Sequence, residues 1–164
     1  MSKAFTREDA NGDEERHVPV PLSLLPEGAK NLMTPDGVER LRQEVRLLLA
    51  ARHSEGTESA RRVSRIQRLR QALSTAFVVS PPSGEELKKV KFGATVRVRH
   101  EDGSEVSYRI VGVDEGDLDR DWISWISPMA QALLNKQVGE KAEFTVPPCL
   151  IQLEVLDIAY REVS

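Results

Sequence analysis

Two apolar stripes of helical period, set back to back across a short polar break, leave this chain few ways to fold between Thr34 and Phe77. Thr34-Pro35-Asp36 is a helix start: a hydroxyl to cap, a proline whose missing N–H costs nothing, and an acid in the first turn. Val38, Leu41, Val45, Leu48 and Leu49 follow in steps that put them along one face. After Ser54-Glu55-Gly56-Thr57 a second stripe runs through Val63, Ile66, Leu69, Leu73 and Phe77, close to a heptad rhythm. So short a connection forces two antiparallel helices, stripe against stripe. At roughly 18–20 residues each, the expected hairpin is about 30 Å long. Its outer faces are charged, so it stands in solvent.

Ser80-Pro81-Pro82-Ser83-Gly84 stops the helical pattern, and beyond it the period becomes two. Val90, Phe92 and the alternating run Ala94 to Arg99 read as a half-buried strand. Asp102-Gly103 turns the chain into a returning strand, Val106 to Val113. An acidic loop from Asp114 to Asp121 leads to a short strand, Trp122 to Ile126. Ser127-Pro128 then starts a short helix, Met129 to Leu134, and two further strands, Ala142 to Val146 and Leu150 to Tyr160, close the chain. The expected fold class is α+β: an N-terminal antiparallel helical hairpin (coiled coil), then a small antiparallel β domain with one short helix. The expected divisions are a polar, proline-punctuated tail over 1–32, the hairpin over 33–78, a linker over 79–84 and the β domain over 85–164. Within the tail, Val18 to Leu25 has enough apolar residues to lie against a surface.

Charge is distributed unevenly. Residues 36–77 hold nine arginines against five acids, whereas residues 78–164 hold ten basic residues against fifteen acidic ones. A basic rod on an acidic globule suits a site near nucleic acid or an acidic protein channel, although such arginines also simply solvate a hairpin. Aromatic residues make up only 5% of the chain, too few for a stacking platform for single strands. No apolar run is long enough to span a bilayer. His17, His53 and His100 lack metal-ligand spacing, and no cofactor is expected. The single cysteine, Cys149, excludes an internal disulfide and fits a cytoplasmic protein. Placed between Pro147-Pro148 and Leu150-Ile151, it is expected to pack rather than react. No nucleophile–base arrangement or phosphate-cradling glycine loop supports independent enzymatic chemistry, so the chain is not expected to be an enzyme.

The wording of the β-domain motifs resembles a known family. Val90-Lys91-Phe92-Gly93-Ala94-Thr95-Val96, Tyr108-Arg109-Ile110-Val111-Gly112-Val113-Asp114-Glu115 and Ile123-Ser124 are similar, in order, to the bacterial Gre transcript-cleavage factors. So are Ser127-Pro128-Met129-Ala130-Gln131-Ala132-Leu133-Leu134, Lys136-Gln137-Val138-Gly139-Glu140 and Glu154-Val155-Leu156-Asp157-Ile158. Thr34-Pro35-Asp36-Gly37 resembles the opening of the same family's coiled coil. The resemblance covers about residues 32–160. It implies an FKBP-like C-terminal domain that docks on the rim of the bacterial RNA polymerase secondary channel, with the coiled coil entering the channel. It places docking at Ser124, Trp125, Ile126, Ser127 and Pro128. Arg61, Arg62, Arg65 and Arg68 are the residues for channel contact or nonspecific contact with nascent RNA or DNA.

In that family the coiled-coil tip carries two acids that help hold a catalytic Mg²⁺, for which carboxylates are suitable hard ligands. Here the hairpin is shorter by several turns and the tip reads His53-Ser54-Glu55-Gly56-Thr57-Glu58-Ser59-Ala60. Glu55 and Glu58 are the weak candidate metal-holding acids, with Glu58 better explained as a first-turn acid on the helix dipole. A shorter rod leaves both outside the polymerase active centre. The expectation is therefore a channel-directed regulator with weak or no stimulation of cleavage, akin to the short-coiled-coil group resembling the regulator of nucleoside diphosphate kinase. The alternatives are a full, Mg²⁺-dependent cleavage-stimulating factor and, suggested by the FKBP-like fold alone, a peptidyl-prolyl isomerase. A second departure is Ile126, where the family has Asp or Asn. With Trp122 and Trp125 it is expected to make an apolar contact patch.

Overall fold

The computed structural model describes residues 25–51 and 56–161. The elements in order are β1 (Asn31–Met33), α1 (Pro35–Ala50), α2 (Thr57–Ser74), β2 (Ala76–Val78), β3 (Thr95–His100) and β4 (Glu105–Val111). After two short 3-10 turns come β5 (Trp122–Ser124), α3 (Pro128–Leu133), β6 (Lys141–Val146) and β7 (Cys149–Ala159). The fold is mixed α+β, as its alternation of periods dictates.

α1 and α2 pack antiparallel. Arg65 on α2 pairs with Glu44 on α1, and Arg62, nearer the start of α2, donates to the carbonyl of Ala51 at the end of α1. Their shared core holds Met33, Val38, Leu41, Val45, Leu69 and Ala72, with Leu48, Leu73 and Ala76 packed at its margin. Fully burying each leucine contributes about 1.5–3 kcal/mol. The stripes do not close along their full length: Leu49 is 54% exposed and Val63 48% exposed. Nor does Phe77 end the second stripe. The helix stops at Ser74, and Phe77 lies half exposed in β2, with the Lys30 ammonium 4.4 Å from its ring centroid. β2 pairs in parallel with β1, Leu32 opposite Phe77, so residues before the hairpin and residues after it meet at its base.

The second sheet has the order β5-β4-β3-β7-β6. Three of its pairings are antiparallel: β3–β4 and β6–β7 are joined by tight turns, and β3–β7 brings the two hairpins together. The fourth corrects the expectation of a wholly antiparallel domain: β4 and β5 run parallel, with Arg109 opposite Trp122. The physical reason lies in the acidic loop. Instead of reversing in a two-residue turn, the chain makes 3-10 turns at Val113–Glu115 and Leu118–Arg120, which return it to Arg109 so that β5 runs beside the last three residues of β4. Asp121, at φ 56°, adopts the left-handed conformation that ends this excursion. The tight turn at Asp102-Gly103 is as expected, with Gly103 at φ 84° and the Asp102 carboxylate accepting from the Ser104 N–H at 2.9 Å.

The main core lies under α3, from Val90, Ala94, Val96, Val98 and Ile110 across to Leu153 and Val155, with Ala130 and Leu133 covering it. Cys149 is exposed, contrary to the expectation that it packs, because it sits at the β6–β7 turn beside exposed Val146 and Leu150. No helix among the described residues is long and apolar enough to cross a membrane.

Candidate functional site

The hairpin and the sheet meet where two motifs dock on one another. Thr34 caps α1 by accepting from the Gly37 N–H at 3.0 Å. The chain from the other side of the molecule then caps the cap. The Thr34 N–H donates to Glu115 Oε2 at 3.0 Å, and the Thr34 hydroxyl donates to Glu115 Oε1. The same Oε2 accepts from the Gly112 N–H at 2.8 Å. Glu115 is 1% exposed, and these three donors satisfy a carboxylate that burial alone would penalise heavily.

The neighbouring glycines follow from this contact. A Cβ on Gly37 would lie 1.7 Å from Glu115 Oε1, and one on Gly112 would lie 2.2 Å from the Leu32 carbonyl oxygen. Glycine is required at both positions for close approach.

Two residues into α1, Asp36 accepts two bonds from the Arg109 guanidinium, at 2.7 and 2.8 Å, with Arg161 3.5 Å away. The bidentate Arg109 bond outweighs the desolvation of Asp36 and holds its carboxyl down to about 2. Arg109 is 4% exposed, and its Nε is buried without a partner. Around the indole of Trp122 lie the guanidiniums of Arg40 at 4.7 Å, Arg109 at 5.0 Å, Arg120 at 5.3 Å and Arg161 at 5.7 Å. Arg40 also donates to the Glu115 carbonyl at 3.0 Å. Beside this seam is a cavity of about 360 Å³, lined by Asp36, Phe92, Arg109 and Arg161 among others.

The residues singled out for docking form one continuous bend. Ser124 ends β5, the Trp125 N–H donates to the Val111 carbonyl at 2.9 Å, and Ser127 caps α3 by accepting from the Ala130 N–H at 3.2 Å. Ile126 is half-buried and Pro128 is exposed as the first residue of α3. The two tryptophans do not share a patch. Trp125 packs against the main core with its indole N–H buried and unpartnered, while Trp122 is enclosed by the arginines of the seam.

On the hairpin, Arg61 is exposed, Arg62 reaches the Ala51 carbonyl, and Arg65 is held by both carboxylate oxygens of Glu44, at 2.8 and 3.2 Å. Arg68 is half-buried and, with Arg65, partly offsets the upward push that burial gives the Asp114 carboxyl. Glu58 is exposed in the first turn of α2, and Glu55 lies outside the described residues. No group of three or more His, Cys, Asp or Glu among the described residues is placed to hold a metal ion.

The seam was not foreseen from the sequence. Thr34-Pro35-Asp36-Gly37 and Gly112-Val113-Asp114-Glu115 are both visible as motifs, but that Glu115 fills the space beside Gly37 depends on a contact across 81 positions of chain.

Comparison with known proteins agrees over most of this length. Residues 85–160 match the sequence profile described as transcription elongation factor, GreA/GreB, C-term. Transcription elongation factor GreB of Neisseria meningitidis serogroup B is 32% identical over 158 residues, covering 82% of this chain and 97% of that protein. Transcription elongation factor GreA of Verminephrobacter eiseniae is 42% identical over 98 residues, 59% of this chain and 62% of that protein. A solved prokaryotic transcription elongation factor GreA/GreB from Nitrosomonas europaea is 24% identical, with a TM-score of 0.42, and the match covers 80% of this chain and 99% of that one.

Proposed function

The chain belongs to the GreA/GreB family of transcription elongation factors, and from that premise we propose that it is a regulator of bacterial RNA polymerase acting at the secondary channel, with weak or no stimulation of transcript cleavage. The β domain, FKBP-like in this reading, docks through Ser124, Trp125, Ile126, Ser127 and Pro128, and the hairpin reaches into the channel with its arginines. The chain then acts on the polymerase and performs no chemistry of its own. A protein with this role works in the cytoplasm.

The observation that carries the reading is the length of the rod. α1 has 16 residues and α2 has 18, so the hairpin extends about 24–27 Å at 1.5 Å per residue. The alignment to the Neisseria relative fits a shortened chain: 158 aligned positions occupy only 82% of these 164 residues. At the end of so short a rod, Glu58 is a solvent-exposed acid favourable to the α2 dipole. Holding a Mg²⁺ needs convergent oxygen ligands brought to the scissile phosphate.

The test is a purified backtracked elongation complex, in which factor binding and shortening of the RNA 3′ end are read in the same sample. Binding without Mg²⁺-dependent shortening is the expected result. Binding with shortening that disappears in the Glu55→Ala, Glu58→Ala double variant would establish a cleavage-stimulating factor instead.

A further inference from the structure

Resting on the docking and channel reading above, we infer that Arg109 and Glu115 are positioning residues that set the direction in which the hairpin leaves the docking strand. The two sides they join are the two parts that engage the polymerase in that reading. Arg109 belongs to the sheet side: its N–H donates to the Asp121 carbonyl at 3.0 Å, and it lies opposite Trp122 in the β4–β5 register, two residues before Ser124. Its guanidinium belongs to the hairpin side, forked onto Asp36. Glu115 likewise leaves the sheet side of the seam and ends on the backbone of Thr34.

These contacts fall at separate points along α1. Thr34 is held at the cap, Asp36 in the first turn, and Arg40 one turn further, where it meets both the Glu115 carbonyl and the Trp122 ring. A helix pinned at one point pivots. A helix pinned at three points over its first two turns has a fixed axis. The leverage is large: on a helix of ~24 Å, a tilt of about 10° displaces the far end by about 4 Å. A displacement near 1 Å already degrades a fitted site. Glu115 is 1% and Arg109 4% exposed, so water has little access to the sheet-side partners, while the 44% exposed Asp36 is held by the bidentate geometry of its bond to Arg109.

The full chain offers a direct test. Spin labels go on Cys149, its exposed and only cysteine, and on a cysteine introduced at exposed Ala50 near the far end of α1; the distance distribution between them is then measured. The expected wild-type distribution is single and narrow. Glu115→Ala and Asp36→Ala are each expected to at least double its width and to weaken binding to the elongation complex about tenfold. Glu115→Gln, which keeps an oxygen for the Thr34 and Gly112 N–H groups, retains most of the narrowness. Should either alanine variant lose its far-UV helical signal, Gly37→Ala replaces it: its methyl would lie 1.7 Å from Glu115 Oε1, which forces the carboxylate away from Thr34 while leaving both side chains in the chain, and must broaden the distribution.

Unchanged widths in folded variants would overturn the inference, as would broadened distributions with undiminished polymerase binding. A wild type with narrow distances that binds no polymerase sinks the docking reading alone, because the distance measurement needs no polymerase.

Discussion

Asp36 shows how a single exposed-looking acid is bound into the fold. Its carboxylate is 44% exposed, yet two bonds from Arg109 hold it down to about 2 from an ordinary 3.8. A carboxyl depressed in the folded state stabilises the protein above its unfolded value and loses that contribution as pH falls through the folded one. The contribution is therefore full above about pH 4 and fades between about pH 4 and 2. Solvent screening at a half-exposed group limits it to about 1 kcal/mol. Asp36→Asn is expected to flatten the pH dependence of urea denaturation across that window and leave it unchanged near pH 7. Sequence inspection could identify Asp36 only as a first-turn acid, which it also is. Its partner lies 73 positions away, and nothing in the local pattern around Arg109 distinguishes a buried forked arginine from a solvated one. Trp122 and Trp125 misled for the same reason. They were expected to share an apolar patch, whereas Trp125 packs on the main core and arginines from α1, β4, the acidic loop and the C-terminal segment converge on Trp122.

Among the elements, the hairpin was legible in its proximal half and misjudged in its distal half. Helical period identifies which residues share a face, and Val38, Leu41, Val45 and Leu69 are buried on that face. Period alone does not say how far a partner face continues, and Leu49 and Val63 lie where it has run out. The difference is measurable. Leu41→Ala, at 1% exposure, is expected to cost about 2–5 kcal/mol in chemical denaturation. Val63→Ala, half exposed, is expected to change stability by less than about 0.5 kcal/mol. The parallel β4–β5 pairing was hidden for a different reason. A loop of ten residues is long enough either to reverse a strand or to carry the chain back alongside it in the same direction, and the choice is made by its 3-10 turns rather than by residue alternation.

At the scale of the whole molecule, a basic hairpin is joined to an acidic globule, and this polarity was readable from charge counts alone. In the proposed channel reading, a rod carrying nine arginines against five acids meets a polyanionic surface, and such binding depends strongly on ionic strength. Affinity for the elongation complex is expected to fall steeply as salt rises from about 50 to 200 mM. If exposed Arg61 meets nucleic-acid phosphate, Arg61→Ala lowers the slope of log affinity against log salt by about 0.7–0.9. A fluorescence titration at several salt concentrations reads both. The seam also bears on how the chain is made. α1 begins at Pro35, but the carboxylate that satisfies its cap belongs to Glu115, 81 positions after Thr34. On the ribosome the hairpin emerges long before that residue does, and at about 5–20 residues per second the delay lasts several seconds. During that interval the nascent helix has its apolar stripe and its own Thr34 cap, but not the carboxylate that fixes the cap. The hairpin is therefore made before the sheet but fixed in place only after β3 and β4 have followed it.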